Sequence, residues 1–172
     1  GIDFMLHDFG FRGVSSVESA GLGGAAHLLN FRGTDTLAAL TTARKYYGST
    51  MAGFSIPASE HSTMTSWNDE EAAMENMLDI YPTGLVACVS DSYDIYHACE
   101  SIWGDKLKDK ILNRDGTLIV RPDSGEPCTV VVRCLNILGD KFGYEVNDKG
   151  FKVLNPKIRM IQGDGCDYEM VH

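Results

Sequence analysis

The residues best suited to chemistry stand just beyond short apolar runs. Arg121-Pro122-Asp123-Ser124-Gly125 follows Thr117 to Val120, a run rich in β-branched residues that reads as a buried strand. A strand ending this way sets a cation and a carboxylate at its C-terminal end, where open and barrel α/β folds keep their ligands. A surface ion pair ahead of a helix cap is the plainer reading, and this stretch alone does not separate the two. The arrangement recurs, however. His7 and Arg12 lie at and beyond the end of a strand expected over Phe4 to Phe9, and Asp35 ends a brief one within Asn30 to Thr36. His61 follows Met51 to Ile56, Asp94 follows Leu85 to Val89, and Asp164 follows Ile158 to Ile161.

Two arginines, a histidine at a helix start and several carboxylates suit a phosphorylated substrate with a divalent ion. Guanidinium groups clamp phosphate oxygens, while carboxylates hold the metal or its waters. The chain has no Gly-x-x-x-x-Gly-Lys-[Ser/Thr], Gly-x-Ser-x-Gly or His-Glu-x-x-His, and Gly21-Leu-Gly-Gly24 lacks the last glycine of a dinucleotide fingerprint. Spacing therefore leads to a phosphosugar or nucleotide site without naming a reaction.

The elements that must position these groups alternate as strand, polar loop and helix, about six times, which implies parallel strands in right-handed crossovers. Ser15-Ser-Val-Glu18 fits a capping box for a helix reaching about Leu29. Gly21, Gly23 and Gly24 weaken that helix by up to about 1 kcal/mol each, so close packing or a ligand must compensate. His27 reads as a packed core residue. Thr34 or Asp35 is placed to cap a helix that stops at Gly48, and Asn68 to Glu71 caps another reaching about Ile80. Helices are expected from Asp94 to Gly104, Asp105 to Leu112 and Pro127 to Lys141. The last presents Val130, Val131, Cys134, Leu135 and Leu138 on one face. Tyr144 to Leu154, broken at Asn147 to Gly150, reads as a hairpin excursion. Because a closed barrel usually needs about 250 residues, the expected fold is an incomplete α/β barrel over residues 1–172, as a single domain.

Of the 172 residues, 44% are hydrophobic and 23% charged, an ordinary globular composition. A formal charge of -9 argues against a general nucleic-acid or anionic-membrane surface. No apolar run approaches the roughly 18 residues of a membrane span. Five cysteines, odd in number and without Cys-x-x-Cys spacing, read as buried free thiols in a reducing compartment. The opening on Gly-Ile-Asp and the stop within an incipient helix suggest a fragment.

Six blocks carry a resemblance: His7 to Ser16, Asn30 to Thr36, Ser55 to Thr63, Val89 to Tyr96, Ile119 to Gly125 and Ile161 to Gly165. In content and order they resemble the nicotinamide phosphoribosyltransferase family. That resemblance implies an irregular α/β barrel of the type II phosphoribosyltransferase kind, with the family's N-terminal domain and C-terminal part absent. It implies formation of nicotinamide mononucleotide and pyrophosphate from nicotinamide and 5-phosphoribosyl 1-pyrophosphate with Mg²⁺. It also implies a cytoplasmic homodimer with active sites at the subunit interface, so that this stretch alone would be inactive.

Carried over by motif position, Phe9 would stack on the pyridine ring and Asp35 would accept the carboxamide N–H. Ser55 would line the substrate, and Arg12 would take a phosphate or pyrophosphate oxygen. Arg121 would contact the ring and phosphoribosyl moieties, and Asp123 would be the catalytic carboxylate. Asp94, Gly163 and Asp164 would line the ribose and phosphate side. His61 resembles the histidine that the family phosphorylates from ATP. The rivals are the same reaction on nicotinate, which Asp35 would repel, and a non-catalytic nucleotide-binding barrel.

Overall fold

The computed structural model describes residues 2–163 and 165–171. The chain divides into two compact units, one ending at Ser55 and the other beginning at Ile56.

In the first unit, strands β1 (His7–Asp8) and β2 (Gly33–Thr34) pair in parallel, and helices α1 (Val17–His27) and α2 (Leu37–Tyr47) pack on one another. That packing explains Gly21 and Gly24, whereas a Cβ on Gly23 would meet nothing within 4 Å. A Cβ on Gly24 would lie 2.5 Å from the Ala39 Cβ, and one on Gly21 would lie 2.5 Å from the Thr42 hydroxyl. Helix α2 stops at Gly48 with φ of 66°, as its position predicts.

Several expectations need correction here. The Ser16 hydroxyl accepts from the Ser19 N–H at 3.0 Å, so Ser19, and not Glu18, occupies the third helical position and the capping box is incomplete. The strand expected over Phe4 to Phe9 shrinks to two residues behind a 3₁₀ turn at Ile2–Phe4. Its partner is equally short, because the Thr34 hydroxyl takes the Thr36 N–H at 3.0 Å and turns the chain into α2. The strand expected over Met51 to Ile56 is a single bridge, Phe54 to Gly33. A two-residue β2 offers it no longer edge.

The second unit holds the main sheet. Strands β3 (Thr83–Val89), β4 (Asp115–Arg121) and β7 (Ile158–Met160) are all parallel, in the order β3-β4-β7, with Ala58 bridged to Ala87. Strands β5 (Tyr144–Val146) and β6 (Lys152–Leu154) form the expected hairpin. The helices are α3 (His61–Met64), α4 (Glu70–Ile80), α5 (Ile95–His97), α6 (Lys108–Asn113), α7 (Pro127–Phe142) and α8 (Tyr168–Val171). The helix expected from Asp94 to Gly104 widens after α5 into a π-helical stretch, Ala98–Lys106. Among the described residues the strands form sheets of two, three and two, none of them closed on itself.

Val86 to Val89 is buried on both faces, as a parallel strand covered by helices should be. Around it pack Met74, Leu78, Trp103, Leu118, Val120 and Leu138. Arg114, also buried, donates to the carbonyls of Tyr81, Thr83 and Gly84, tying the start of β3 to that of β4. Cys88, Cys99 and Cys134 are buried free thiols, and burial pushes the Cys88 thiol up to about 11. Cys128 and Cys166 are exposed, contrary to a uniformly buried set. Among the described residues no helix is long and apolar enough to cross a membrane.

Candidate functional site

In the second unit the polar groups gather where the parallel strands end. The Ala87 N–H donates to the Pro57 carbonyl at 2.9 Å, and the Ser59 N–H to the Ala87 carbonyl at 3.0 Å, pinning the segment before His61 alongside β3. The buried Ser59 hydroxyl accepts from the Val89 N–H at 3.0 Å, closing the attachment. At the end of β3, the Ser90 N–H donates to the Arg121 carbonyl at 3.0 Å, joining the ends of β3 and β4. The Trp103 ring N–H donates to the Ser90 hydroxyl at 3.0 Å and fixes that crossing from the core side. On the far side, the Gly163 N–H donates to the Pro122 carbonyl at 3.0 Å. A Cβ on Gly163 would overlap the Asp123 carboxylate, so glycine lets the chain pass here without displacing that carboxylate.

These attachments bring His61, Asp91, Asp123 and Ser124 together. His61 Nε2 lies 2.9 Å from one Asp91 carboxylate oxygen. The other accepts from the Asp123 N–H at 2.8 Å and the Ser124 hydroxyl at 2.5 Å. The Asp91 side chain is only 4% exposed. Burial works to raise its carboxyl, but the Ser124 hydroxyl, the Asp123 N–H and the His61 ring outweigh burial and hold it below the usual carboxylate range. An ionised carboxylate only accepts, so Nε2 of His61 carries the proton, and Nδ1 faces Asp123 Oδ2 at 3.8 Å. The Arg121 guanidinium is buried, with Nη2 3.4 Å from a Glu60 carboxylate oxygen.

Asp94 is placed otherwise. Its carboxylate caps α5, accepting from the Tyr96 N–H at 2.9 Å and the His97 N–H at 3.1 Å, and these bonds hold its carboxyl below the usual range. It makes no hydrogen bond to His61, Asp91 or Asp123. Asp164 lies outside the described residues. Helix α3 is a single turn, too short for a dipole argument at His61. Among the described residues no group of three or more His, Cys, Asp or Glu is arranged to hold a metal ion.

The first unit carries a second polar group. Asp35 does not cap α2; that position is Thr36, whose side chain makes no capping bond. Instead, Asp35 Oδ1 lies 3.1 Å from His7 Nε2 and accepts the Ser55 hydroxyl. The His7 and Phe9 rings lie 4.5 Å apart at 31°. Arg12 sits exposed in a 3₁₀ turn, Gly10–Gly13. An anionic acceptor beside aromatic rings suits a flat ring bearing a hydrogen-bond donor.

Sequence reasoning brought His61, Arg121, Asp123 and Gly163 into the second unit's site and Phe9, Asp35 and Ser55 into the first unit's. It missed Asp91 and Ser124, and set His7 among the strand-end polar residues without a specific role toward substrate. Asp91 follows the last β3 residues as directly as Asp123 follows β4, so the strand-end rule could have found it.

The sequence model of the nicotinate phosphoribosyltransferase (NAPRTase) family matches residues 4–172. A nicotinamide phosphoribosyltransferase of Xanthomonas campestris pv. campestris is 56% identical over 96% of this chain and 36% of its own length. Proteins of the same name from Mycoplasma pneumoniae and Acinetobacter baylyi are 36% and 33% identical, over 98% and 92% of this chain and 38% and 36% of their own lengths. The chain thus spans little more than a third of the length of these curated relatives. The match over nearly every residue decides the family: the chain belongs to the nicotinate phosphoribosyltransferase (NAPRTase) family.

Proposed function

We propose that the full-length protein carrying this chain is a nicotinamide phosphoribosyltransferase of NAD biosynthesis, forming nicotinamide mononucleotide and pyrophosphate from nicotinamide and 5-phosphoribosyl 1-pyrophosphate. The observation that carries the choice of base is Asp35, an anionic acceptor held by His7 and Ser55. A carboxylate there gains a charge-assisted hydrogen bond from an amide and repels an acid. Phe9 would stack on the pyridine ring, and Arg12 would take a phosphate or pyrophosphate oxygen.

In the second unit, Asp123 would stabilise positive charge developing at the ribose C1 as pyrophosphate leaves, while Arg121 would receive phosphoribosyl oxygens. Asp94, Gly163 and Asp164 would line the ribose and phosphate side. Asp91 is committed to three donors, which leaves Asp123 as the carboxylate able to share an ion. That fits Mg²⁺ arriving on the pyrophosphate-bearing substrate and keeping waters and substrate oxygens as ligands. When bound, the ion would neutralise charge on the leaving group. His61, partly exposed with Nε2 protonated toward Asp91, presents Nδ1 as the nitrogen for a phosphoryl group from ATP. An incomplete type II barrel, a cytoplasmic location and a homodimer with active sites at its interface complete the reading.

The nicotinate reading takes support from the family's name alone, and a non-catalytic barrel gives no use to Asp123 beside His61. Full-length protein supplied with the phosphoribosyl donor, Mg²⁺ and each pyridine base in turn should convert nicotinamide in preference. Preferred conversion of nicotinate, or no product from either base, would overturn the proposal.

A further inference from the structure

We propose that His7 is a positioning residue that sets the preference for an amide over an acid by fixing the Asp35 carboxylate; this rests on the nicotinamide reading above. Both donors that reach Asp35, the His7 Nε2–H and the Ser55 hydroxyl, converge on one oxygen, Oδ1. Among the described residues no hydrogen bond reaches Oδ2. The carboxylate is therefore held through one oxygen and presents the other, at a side chain 39% exposed. An ionised carboxylate accepts only, so it selects the His7 tautomer with the proton on Nε2.

The ring has little freedom to leave this arrangement. His7 pairs with Gly33 in the β1–β2 register, and a Cβ on Gly33 would lie 2.7 Å from His7 Nδ1, so the imidazole rests on bare backbone. Phe9 lies against it at 4.5 Å, and the side chain is only 14% exposed. Removing the donor while keeping the ring would leave Ser55 alone on Oδ1, loosen the orientation of Asp35 and blur its distinction between an incoming N–H and an incoming carboxylate.

The test uses the full-length protein and the ratio of kcat/KM for nicotinamide to that for nicotinate. His7→Phe keeps an aromatic ring without the donor and should lower the ratio about tenfold, through KM for nicotinamide more than through kcat. His7→Gln offers an N–H near the reach of Nε2 and should bring the ratio back to within about threefold of wild type, the residue of an imperfect donor geometry. His7→Asn, whose N–H mimics Nδ1, should behave like His7→Phe, and thermal melts of all three separate this from failed folding. Asp35→Asn is the control. A ratio that collapses in Asp35→Asn but holds in His7→Phe overturns the role of His7 and leaves the nicotinamide reading standing. Equal losses in His7→Gln and His7→Phe also overturn it, since the ring and not the donor would then matter. A ratio unmoved in Asp35→Asn overturns Asp35 as the reader of the amide and the role of His7 together, while the wild type's own preference between the two bases tests the nicotinamide reading separately.

Discussion

His61 Nε2 and a carboxylate oxygen of Asp91 lie 2.9 Å apart, and the Asp91 side chain is almost wholly withdrawn from water. That pair decides which imidazole nitrogen is available for chemistry. In Asp91→Asn the amide oxygen is best placed facing the Asp123 N–H and the Ser124 hydroxyl, which leaves the amide N–H₂ pointing at His61. Nε2 must then accept, and the proton moves to Nδ1. Ring ¹⁵N shifts of His61 in the full-length protein should show the exchanged tautomer, with phosphohistidine formation from Mg-ATP sharply reduced. Unchanged shifts would mean that Asp91 does not set the tautomer.

The same carboxylate links stability to pH. Asp91 is held below its unfolded value of about 3.9, so its contribution is fully present above that value and is lost as pH falls through the folded value. Wild type should be more stable than Asp91→Asn at neutral pH, and the gap should close below about pH 4. Urea midpoints measured across that range check this. A gap that stays constant into strong acid contradicts it.

Gly163→Ala tests the close approach of β7's loop to Asp123. The added methyl cannot enter without moving the carboxylate, and with Asp123 in the catalytic role proposed above a displacement of about 1 Å costs about 10²-fold in rate. Steady-state kinetics should show that loss in kcat while the melting temperature changes little. Wild-type kcat would mean that Asp123 is not held where Gly163 places it.

Much of this arrangement is legible in the sequence because parallel strands need apolar runs and set the residues just beyond them at one end of the sheet. Arg121, Asp123 and His61 come from that rule, and the hairpin at Tyr144 to Leu154 from its Asn-Asp-Lys-Gly turn. What is hidden depends either on a local side-chain competition for backbone N–H groups or on partners distant in the chain. The short β1 and β2 are cut off by Thr34 capturing the Thr36 N–H, a choice local propensity does not settle. Asp35 reads as a cap until His7, 28 residues away, and Ser55, 20 residues away, claim its oxygen. Asp91 escapes notice beside Asp94 because two aspartates share one loop, and only the fold turns one toward His61 and the other toward the start of α5.

Thiol labelling followed by mass spectrometry checks the packing independently of activity. Cys88, Cys99 and Cys134 should stay unmodified in the native full-length protein and react only after denaturation, since they are buried and the Cys88 thiol ionises only near 11. Native labelling of Cys88 at neutral pH would contradict the placement of β3 in the core.

The proposed choice of base rests on the Asp35 carboxylate reading the amide of the substrate. Asp35→Asn should weaken nicotinamide in the transition state by about 1.5–3 kcal/mol, the worth of a hydrogen bond to a charged group once water is displaced. The same change removes the repulsion that excludes nicotinate, so discrimination should collapse from both directions. The measurement is the ratio of kcat/KM for nicotinamide to that for nicotinate in full-length wild type and Asp35→Asn. A fall of about 10-fold or more is the predicted result, and a ratio equal to wild type would contradict the assignment.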